Sequence, residues 1–342
     1  MTKNSGASAT TIASRALPDK HPELFHYTKE PGFLGIMASQ TLWATHFKNL
    51  NDTTEVQLLR KPLQAALALR FAANLEERQK RSMTFSARVF GHGGREVVAA
   101  GLAESLVSAL YKVTYGHHTK LQFGAPYVTS FTTHSKNYEK NHGLLSQWRD
   151  YGKEGYCLVF DTAALSKMLW IDFDKAYFVH LNMDEAIYAV EDFDIEEKFG
   201  ALLRQCERYV GEVLNDNQTP DMIEDGFAPF AAATTMFKHQ GFREENEVRI
   251  VAIPGTQYLS DRTKAEFSAF VEKPIVESHK TASADGKVIR KHIALFSRTD
   301  ERLPIARIIV GPGPDQEARF QKAKSLTDDS IMVTRSGIPW TG

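Results

Sequence analysis

The chain has 342 residues, of which 42% are hydrophobic and 24% charged, with 22 glycines and 13 prolines. This balance is typical of a globular protein and excludes collagen-like, low-complexity and wholly disordered chains. The 41 Lys and Arg against 42 Asp and Glu give a net charge of −1. The overall charge therefore does not predict a nucleic-acid or membrane partner, although a local basic patch could still bind either.

The two cysteines, Cys157 and Cys206, lack CxxC spacing, which argues against a disulfide framework and a Cys-based zinc site. Residues 1–20 are rich in Ser, Thr and Ala without an apolar run, so we predict a disordered tail and no secretory signal. Charged residues interrupt the apolar stretches near 64–75 and 96–113, whereas a membrane span needs about 20 predominantly apolar residues. We therefore expect a cytoplasmic protein with no membrane partner.

Short segments rich in aromatic and β-branched residues predict strands along the whole chain. They are Leu24–Thr28, Leu42–His46, Tyr127–Thr133, Tyr156–Asp161, Ala176–His180, Glu247–Ile253, His292–Phe296 and Arg307–Val310. Apolar positions at helical spacing predict helices over 53–85 and 95–113, and an amphipathic helix over 184–215. The segment Ala284-Asp285-Gly286-Lys287 is typical of a hairpin turn.

This order of elements predicts one α+β domain over residues 21–342. Its core is a split, mostly antiparallel sheet, and two helical insertions interrupt it at about 53–116 and 184–235.

The first candidate motif, His26-Tyr27-Thr28, ends the first predicted strand. Thr28 suits a helix N-cap and Pro31 suits the first helical turn. His26 would then lie at a strand end beside a helix start, where ligand sites are often found. The alternative is a histidine that only bonds backbone.

The second motif is the hydroxyl-rich strand that contains Thr129-Ser130-Phe131. Alternation places Thr129 and Phe131 on one face and Ser130 on the other. A solvated strand face would have the same composition.

The third motif, Trp148-Arg149-Asp150-Tyr151, is predicted to lie in a short helix. Trp148 and Tyr151 are three residues apart and share a helical face, on which they can stack against a planar ligand. Arg149 is then available for a phosphate. Both rings would serve equally well as core anchors.

The fourth motif is the strand entry Glu245-Asn246-Glu247-Val248-Arg249. A period of two places Glu245, Glu247 and Arg249 on one face, where an ionised acid beside a cation can hold a sugar hydroxyl. An exposed salt-bridge ladder would show the same pattern and would contribute only about 0–1 kcal/mol.

Together these motifs resemble a bacterial family, the domain of unknown function 2971 family. The resemblance rests on the His-Tyr-Thr start, the Leu-Trp-Ala-Thr strand with Leu50-Asn51-Asp52 and Glu55, the Leu-Ser-Gln-Trp-Arg-Asp-Tyr-Gly segment and the Phe-Arg-Glu-Glu-Asn-Glu-Val-Arg strand. It extends from about residue 24 to 253 and by itself implies no chemistry.

The motif order also resembles the ADP-ribosyltransferase superfamily, whose members carry a His or Arg strand, a Ser/Thr/Tyr strand and a late Glu-x-Glu strand. Here His26-Tyr27-Thr28, Thr129-Ser130-Phe131 and Glu245-Asn246-Glu247 take these places, and the opening strand, helix and strand resemble those of DarT-type toxins. Tyr27 stands where the superfamily usually has Gly, and Phe131 where it has a last Ser or Thr.

This resemblance implies an ADP-ribosyltransferase-like sheet and an enzyme that uses NAD as co-substrate without a metal. Glu247 and Glu245 would be catalytic. The implied cofactor-binding residues are His26, Tyr27, Thr28, Ser130, Phe131, Trp148, Arg149 and Tyr151. The acceptor would be a macromolecule, nucleic acid or protein. Such an enzyme would be a bacterial toxin or antiphage effector with an antitoxin or defence-system partner.

Two other functions remain open at this point. The departures at Tyr27 and Phe131 favour a non-catalytic sensor or binding module on a degenerate transferase-like fold. The carboxylates Asp52, Glu55 and Glu247 are the residues that a metal-dependent nuclease would use.

Overall fold

The computed structural model describes residues 16–50, 55–115, 124–188, 194–215, 221–282, 286 and 289–339, with the backbone alone for 221–227. The predicted tail as far as residue 15, the nuclease candidate Asp52, and Asp285 and Lys287 of the predicted turn lie outside the described residues.

The described strands and helices are as follows, with three short 3₁₀ turns at Phe47–Asn49, Glu55–Gln57 and Gln240–Glu245. The strands are β1 (Glu23–Thr28), β2 (Leu42–His46), β3 (Tyr127–Thr132), β4 (Tyr156–Asp161), β5 (Phe178–Glu185), β6 (Ile187–Tyr188), β7 (Phe237–Lys238), β8 (Glu247–Pro254), β9 (His279–Ala282), β10 (Ile289–Leu295), β11 (Ile305–Val310) and β12 (Met332–Arg335). The helices are α1 (Leu17–Lys20), α2 (Glu30–Ser39), α3 (Arg60–Arg81), α4 (Met83–Gly91), α5 (Arg95–Tyr115), α6 (Asn137–His142), α7 (Leu145–Asp150), α8 (Thr162–Lys175), α9 (Ile195–Val213), α10 (Asp221–Met236), α11 (Gln257–Glu266) and α12 (Gln316–Leu326).

The start of the second insertion differs from the predicted helix over 184–215. β5 continues to Glu185 because it pairs with β8 along its length, and α9 begins only at Ile195. Asp194 sets that start, since its Oδ1 accepts hydrogen bonds from the backbone N–H groups of Glu196 and Glu197 at 2.9 and 3.1 Å. Such an N-cap satisfies donors that the first helical turn leaves free.

Two local expectations near the amino terminus also differ. Leu17, inside the predicted tail, is buried in α1 and packs into the main core. Thr28 does not cap α2: it is the last residue of β1, and the N-cap is Lys29, which makes no side-chain capping bond. Pro31 lies in the first turn of α2 as expected.

The large sheet is almost entirely antiparallel, with one parallel pair, β11 and β12. Its strands run in the order β5-β8-β3-β1-β4-β11-β12, and β2, β10 and β9 branch from β3. The prediction of an α+β fold with a mostly antiparallel sheet is confirmed. β9 and β10 pair across the predicted hairpin.

The branch arises because β3 shares one of its edges between two strands. Six residues of β3 pair with β8, from Tyr127↔Ala252 to Thr132↔Glu247. On the other edge, β2 pairs with Tyr127 and Val128, whereas β1 pairs only with Thr132. The sheet therefore divides along residues 129–131, and we call this opening between β1 and β2 the fork.

The two faces of the sheet pack against different layers. The core face carries Phe131, Val248 and Ile250 and is covered by α2 and α8. The opposite face carries Val128 and Val251 and packs under α10; we call it the insertion face.

The two helical insertions, although distant in sequence, form a single second core. Leu63 and Leu67 of α3 and Leu106 of α5 pack with Leu203 of α9 and Phe230 of α10. By length and composition α5 could span a membrane, with a mean hydropathy of 1.3. The charged residues that interrupt this stretch argue against a span here. One such helix is weak evidence for a span, and α5 contributes six buried residues to this helical core.

Candidate functional site

His26 of β1 reaches into the fork and contacts β3. Its Nδ1 lies 3.0 Å from the backbone oxygen of Ser130. A carbonyl only accepts hydrogen bonds, so Nδ1 carries the proton and Nε2 keeps a lone pair. Burial lowers the pKa of His26, which favours this neutral form at pH 7. The backbone contact expected of a structural histidine is thus present, and an acceptor nitrogen remains.

Ser130 marks an opening in the middle of the sheet. It is the one exposed residue of β3, and its five neighbours on that strand are buried. Ser130 pairs with Arg249 and Thr132 pairs with Glu247, so all four side chains project from the insertion face. An exposed side chain on a central strand means that solvent reaches the sheet at the fork.

Beside the fork, five charged side chains form a buried group that we call the charge cluster. Lys238 bridges Glu245 and Glu247, the two acids of the fourth motif. Its Nζ donates to Glu245 Oε2 and, at 2.5 Å, to Glu247 Oε2. Glu247 is only 4% exposed and Lys238 only 5%. The members of the charge cluster are Glu55, Lys238, Glu245, Glu247 and Arg249.

Arg249 closes the other side of the charge cluster. Its Nε donates to Glu247 Oε1 at 2.8 Å, and its Nη2 donates to Glu55 Oε2 at 2.8 Å. Its Nη1 donates to the backbone oxygens of Thr235 and Phe237 at 2.7 and 3.1 Å. The guanidinium is therefore saturated by protein acceptors, as a buried charge must be to avoid a large desolvation cost.

A sharp turn brings Glu245 and Glu247 to the same lysine. Glu245 ends a 3₁₀ turn outside β8, so the expected strand alternation is not what aligns it. Asn246 between them is left-handed, with φ of 42°. Its backbone oxygen accepts from both the N–H and the hydroxyl of Thr133, at 3.0 and 3.1 Å. The two carboxylates converge because this turn is tied to the end of β3.

The charge cluster drives its acids to opposite protonation behaviour. Burial by itself would raise the pKa of Glu247, but Arg249 and Lys238 outweigh it and lower that pKa to about 2. Burial raises the pKa of Glu245, and the lysine that it shares with Glu247 does not compensate. Burial likewise raises the pKa of Glu55 against the effect of Arg249. The three acids Glu55, Glu245 and Glu247 share the two cations Lys238 and Arg249, so one acid has no cation of its own and is the natural proton acceptor. Such a division of roles is typical of acid–base sites.

Helix α7 completes the site from the side of β1. Tyr151 donates its hydroxyl to Glu245 Oε1 at 3.3 Å. Gln147 accepts a 3.0 Å hydrogen bond from the Thr132 hydroxyl through Oε1. Its Nε2 is buried and, within the described chain, has no hydrogen-bond partner. A buried amide donor without a partner is costly, and it identifies a place where a ligand acceptor would be stabilised.

Three of the aromatic residues that the resemblance implies for cofactor binding, Tyr27, Phe131 and Trp148, are packed in the core. Trp148 is 0% exposed, and its Nε1 donates to the backbone oxygen of His142 at 2.9 Å. Tyr27 packs edge-on against Trp148 at 4.8 Å. Phe131 packs against Phe160 on the core face. Tyr27 and Phe131 therefore lie on opposite faces of the sheet.

The remaining proposed residues lie at the margin. Arg149 is exposed on α7. Thr28 ends β1, and its hydroxyl donates to the backbone oxygen of Lys29 at 3.4 Å. By register, His26 leaves β1 on the core face, beside Phe131 at a ring distance of 5.7 Å, whereas Glu247 lies on the insertion face. Ser130 lies between His26 and the charge cluster. Its backbone oxygen contacts His26 Nδ1, and its side chain lies opposite Arg249 in the register.

Sequence reasoning missed Lys238 and the part played by Gln147. Lys238 lies in a two-residue strand after α10, nine positions before Glu247, and no periodicity marks it. The only available signal was charge, since the motif has an excess of acid that a buried site must neutralise.

Of the three carboxylates considered for a metal-dependent nuclease, the two that lie in the described residues are engaged elsewhere. Glu55 and Glu247 both bond Arg249. Among the described residues, no group of three or more His, Cys, Asp or Glu side chains is placed to hold a metal ion.

Comparison with known proteins matches residues 147–250 to a family model described as Protein of unknown function (DUF2971). No curated protein matches the chain, and no solved structure matches it. The matched segment begins at Gln147 on α7 and ends beside Arg249 on β8, so it contains both motif acids and Lys238. The resemblance to this family is thus confirmed over residues 147–250, the part of the chain that its model matches.

Proposed function

We propose that the chain is an NAD-dependent ADP-ribosyltransferase that transfers ADP-ribose to a macromolecule in the bacterial cytoplasm, as a toxin or antiphage effector. The observation that carries the proposal is the fork. β1, β3 and β8, which bear the three motifs, are neighbours in the sheet, and Ser130 is exposed where they meet.

Glu247 supplies the charge that the reaction requires. Breaking the bond between nicotinamide and ribose develops positive charge on the ribose, as in glycoside chemistry. Glu247 is ionised at neutral pH because its pKa is about 2, and it is held rigidly by Arg249 and Lys238. A fixed anion in a dry site stabilises such charge without reorganising.

Glu245 has the complementary property. Its raised pKa and its contact with Tyr151 suit it to accept the proton that the acceptor loses. The C1′–N bond of NAD breaks with its electron pair going to nicotinamide, the acceptor heteroatom bonds C1′, and the acceptor proton passes to Glu245.

Three further groups suit a ribose and an amide. Nε2 of His26 has the lone pair to accept from a ribose hydroxyl, and Ser130, whose backbone oxygen contacts His26 Nδ1, exposes its hydroxyl on the other face of the sheet. The unpartnered Nε2 of Gln147 is a donor for a carbonyl oxygen. These polar groups fit the proposed co-substrate, whereas Tyr27, Phe131 and Trp148 are packed in the core.

The test is transfer of label from NAD to cell lysate, with nicotinamide release measured in parallel. We expect Glu247→Gln to lose at least 100-fold in rate, the size typical for removing one essential electrostatic group. Glu244→Gln is the matched control, because Glu244 is exposed two residues before Asn246. Undiminished transfer by a folded Glu247→Gln variant would contradict the proposal.

A second function is favoured by one observation, the burial of Tyr27, Phe131 and Trp148. A site without a free stacking ring suits a non-catalytic sensor or binding module. Calorimetry separates the two: binding of NAD with release of nicotinamide supports the enzyme, and absence of heat at millimolar NAD supports the module.

A further inference from the structure

Helix α4 has two apolar faces, and the protein covers only one of them. Phe85 and Val89 form an inner face, which packs into the core of the two insertions. Met83 and Phe90 lie on the opposite side, where they are 89% and 82% exposed. Ala87, also exposed, lies between them, because positions i, i+4 and i+7 share one side of a helix. We call the side formed by Met83, Ala87 and Phe90 the outer face of α4.

The outer face is the most exposed apolar feature of the described chain. Among the described large hydrophobic residues, none is as exposed as Met83 and Phe90, and Leu69 follows at 76%. Side chains that are exposed to this degree project from the surface, without protein around them that could form a groove. Contiguous apolar groups in water mark a place where another surface docks.

The cations around the outer face are only partly neutralised. Residues 78–95 contain five Lys and Arg and no Asp or Glu. Lys80 and Arg95 pair with acids just outside this segment. Arg81 and Arg88 are exposed, and within the described part of the chain neither takes part in an ion pair. Arg88 lies on α4 itself, on the flank between the inner and outer faces. The segment therefore favours an anionic partner.

We propose that the outer face of α4 binds the surface of an anionic phospholipid bilayer. Met83 and Phe90 enter the boundary between headgroups and acyl chains, and Arg81 and Arg88 contact lipid phosphates. A helix with large apolar side chains on one side and cations on its flank lies in the plane of such an interface. Long cationic side chains extend from there to the headgroups. Because the inner face holds α4 in the fold, the helix is already formed before it binds.

The shape and charge of the outer face favour a bilayer over a second copy of the chain. A symmetric dimer places the same patch of both copies together, so Arg81 and Arg88 would approach their own counterparts without an acid in the segment to compensate. A protein partner also needs packed pockets and surrounding contacts that exclude water. The projecting side chains offer neither, whereas lipid chains rearrange around them.

A helix that lies on a bilayer does not need the apolar stretch of about 20 residues that a span requires. The expectation of no membrane partner concerns spanning segments and does not apply to surface binding. The proposal goes beyond ADP-ribosyl transfer and does not rest on it, since lipid binding is measured without NAD.

The experiment is co-sedimentation of the full chain with vesicles of phosphatidylglycerol and phosphatidylethanolamine, and with uncharged vesicles of phosphatidylcholine. We expect binding to the anionic vesicles that added salt weakens, because exposed charges are screened. Met83→Ser/Phe90→Ser should weaken this binding by at least about tenfold, since it removes the two apolar side chains that enter the bilayer. Met332→Ser/Phe267→Ser is the matched control. It replaces the same two residue types at positions that are 57% and 53% exposed on β12 and after α11, and it should leave binding unchanged.

The cations are tested separately. Arg81→Ala/Arg88→Ala should weaken binding to the anionic vesicles about 25-fold, since one cation near an anionic surface contributes about fivefold. Arg290→Ala/Arg302→Ala removes the same charge from exposed positions elsewhere and should leave binding unchanged. The melting temperatures of all four variants should stay close to that of the wild type, because the replaced side chains are exposed.

Three outcomes would overturn the proposal. One is absence of wild-type binding to the anionic vesicles at low salt. Another is equal binding by Met83→Ser/Phe90→Ser and by its control. The third is a wild-type dimer in sedimentation velocity that Met83→Ser/Phe90→Ser converts to a monomer, which would assign the outer face to a second copy of the chain.

Discussion

The charge cluster and the hairpin of β9 and β10 belong to one sheet and treat charge in opposite ways. In the charge cluster, every cation bonds at least two acceptors and is almost inaccessible to water. On the hairpin, Lys280 and Arg290 are exposed and Lys291 is half-buried, and none of the three has an ion pair among the described residues. Desolvation explains the difference, because a buried charge must be paired whereas an exposed one is hydrated.

The comparison predicts which charged side chains the fold depends on. Removing a partner from the charge cluster leaves a buried charge unpaired, so the cost falls on folding. Removing a hairpin cation leaves no carboxylate without its partner, so the free energy of unfolding should change little. The following predictions test this division, from the largest expected effect on stability to the smallest.

Arg249→Met should have the largest effect. It strands the carboxylates of Glu55 and Glu247, and breaking a buried pair from one side typically costs about 3–5 kcal/mol of unfolding free energy. Urea unfolding measures the change. Arg302→Met is the control, because its pair with Asp328 is exposed and should contribute about 0–1 kcal/mol. Equal losses in the two variants would show that the charge cluster is not a buried network.

Glu247 should make stability depend on pH in the acid range. Its folded pKa of about 2 lies below its ordinary value of 4.5, so its stabilisation is complete above about pH 4.5 and is lost as the pH falls toward 2. The full difference corresponds to roughly 3 kcal/mol. Unfolding free energies at pH 6, 4.5 and 3 should fall less steeply for Glu247→Gln than for the wild type. Glu244→Gln should follow the wild type, and parallel curves for all three would refute the assignment.

Asn246 tests the turn that aligns the acids. Because its φ is 42°, Asn246→Ala should cost about 1 kcal/mol, whereas glycine adopts this conformation without strain. Thermal melts of Asn246→Ala and Asn246→Gly should therefore differ, with the glycine variant nearer the wild type. Equal melting temperatures would mean that the left-handed turn is not required.

The hairpin should show the smallest effect on stability. Lys280→Ala/Arg290→Ala/Lys291→Ala is expected to change the unfolding free energy by no more than about 0.5 kcal/mol per site, the usual range for surface positions. Urea unfolding of the variant and the wild type checks this. A large loss of stability would show that the fold depends on these cations.

Local patterns were sufficient for most of the strands. The predicted bounds of Leu42–His46 and Tyr156–Asp161 agree with β2 and β4, because alternation and β-branched composition act within a few residues. The antiparallel sheet followed from those strands. The packing of the two insertions into one core did not, since it depends on contacts between α3 and α9 across more than a hundred residues.

The site was predicted only in part for the same reason. Glu245 and Glu247 were found from their spacing, but the left-handed turn at Asn246 has no periodic signature. The fork depends on which strands share the edge of β3, and sequence does not specify that pairing. The rings of Trp148 and Tyr151 were recognised as significant, but only packing decides whether such a ring binds a ligand or fills the core.

The central claim is that the fork at Ser130 is the NAD site, and calorimetric titration of Ser130→Trp with NAD tests it most directly. An indole at this exposed position fills the opening without burying a charge. We expect the variant to lose the heat of NAD binding while its melting temperature and that of the control Ser325→Trp stay close to the wild type. Undiminished NAD binding by a folded Ser130→Trp variant would contradict the claim.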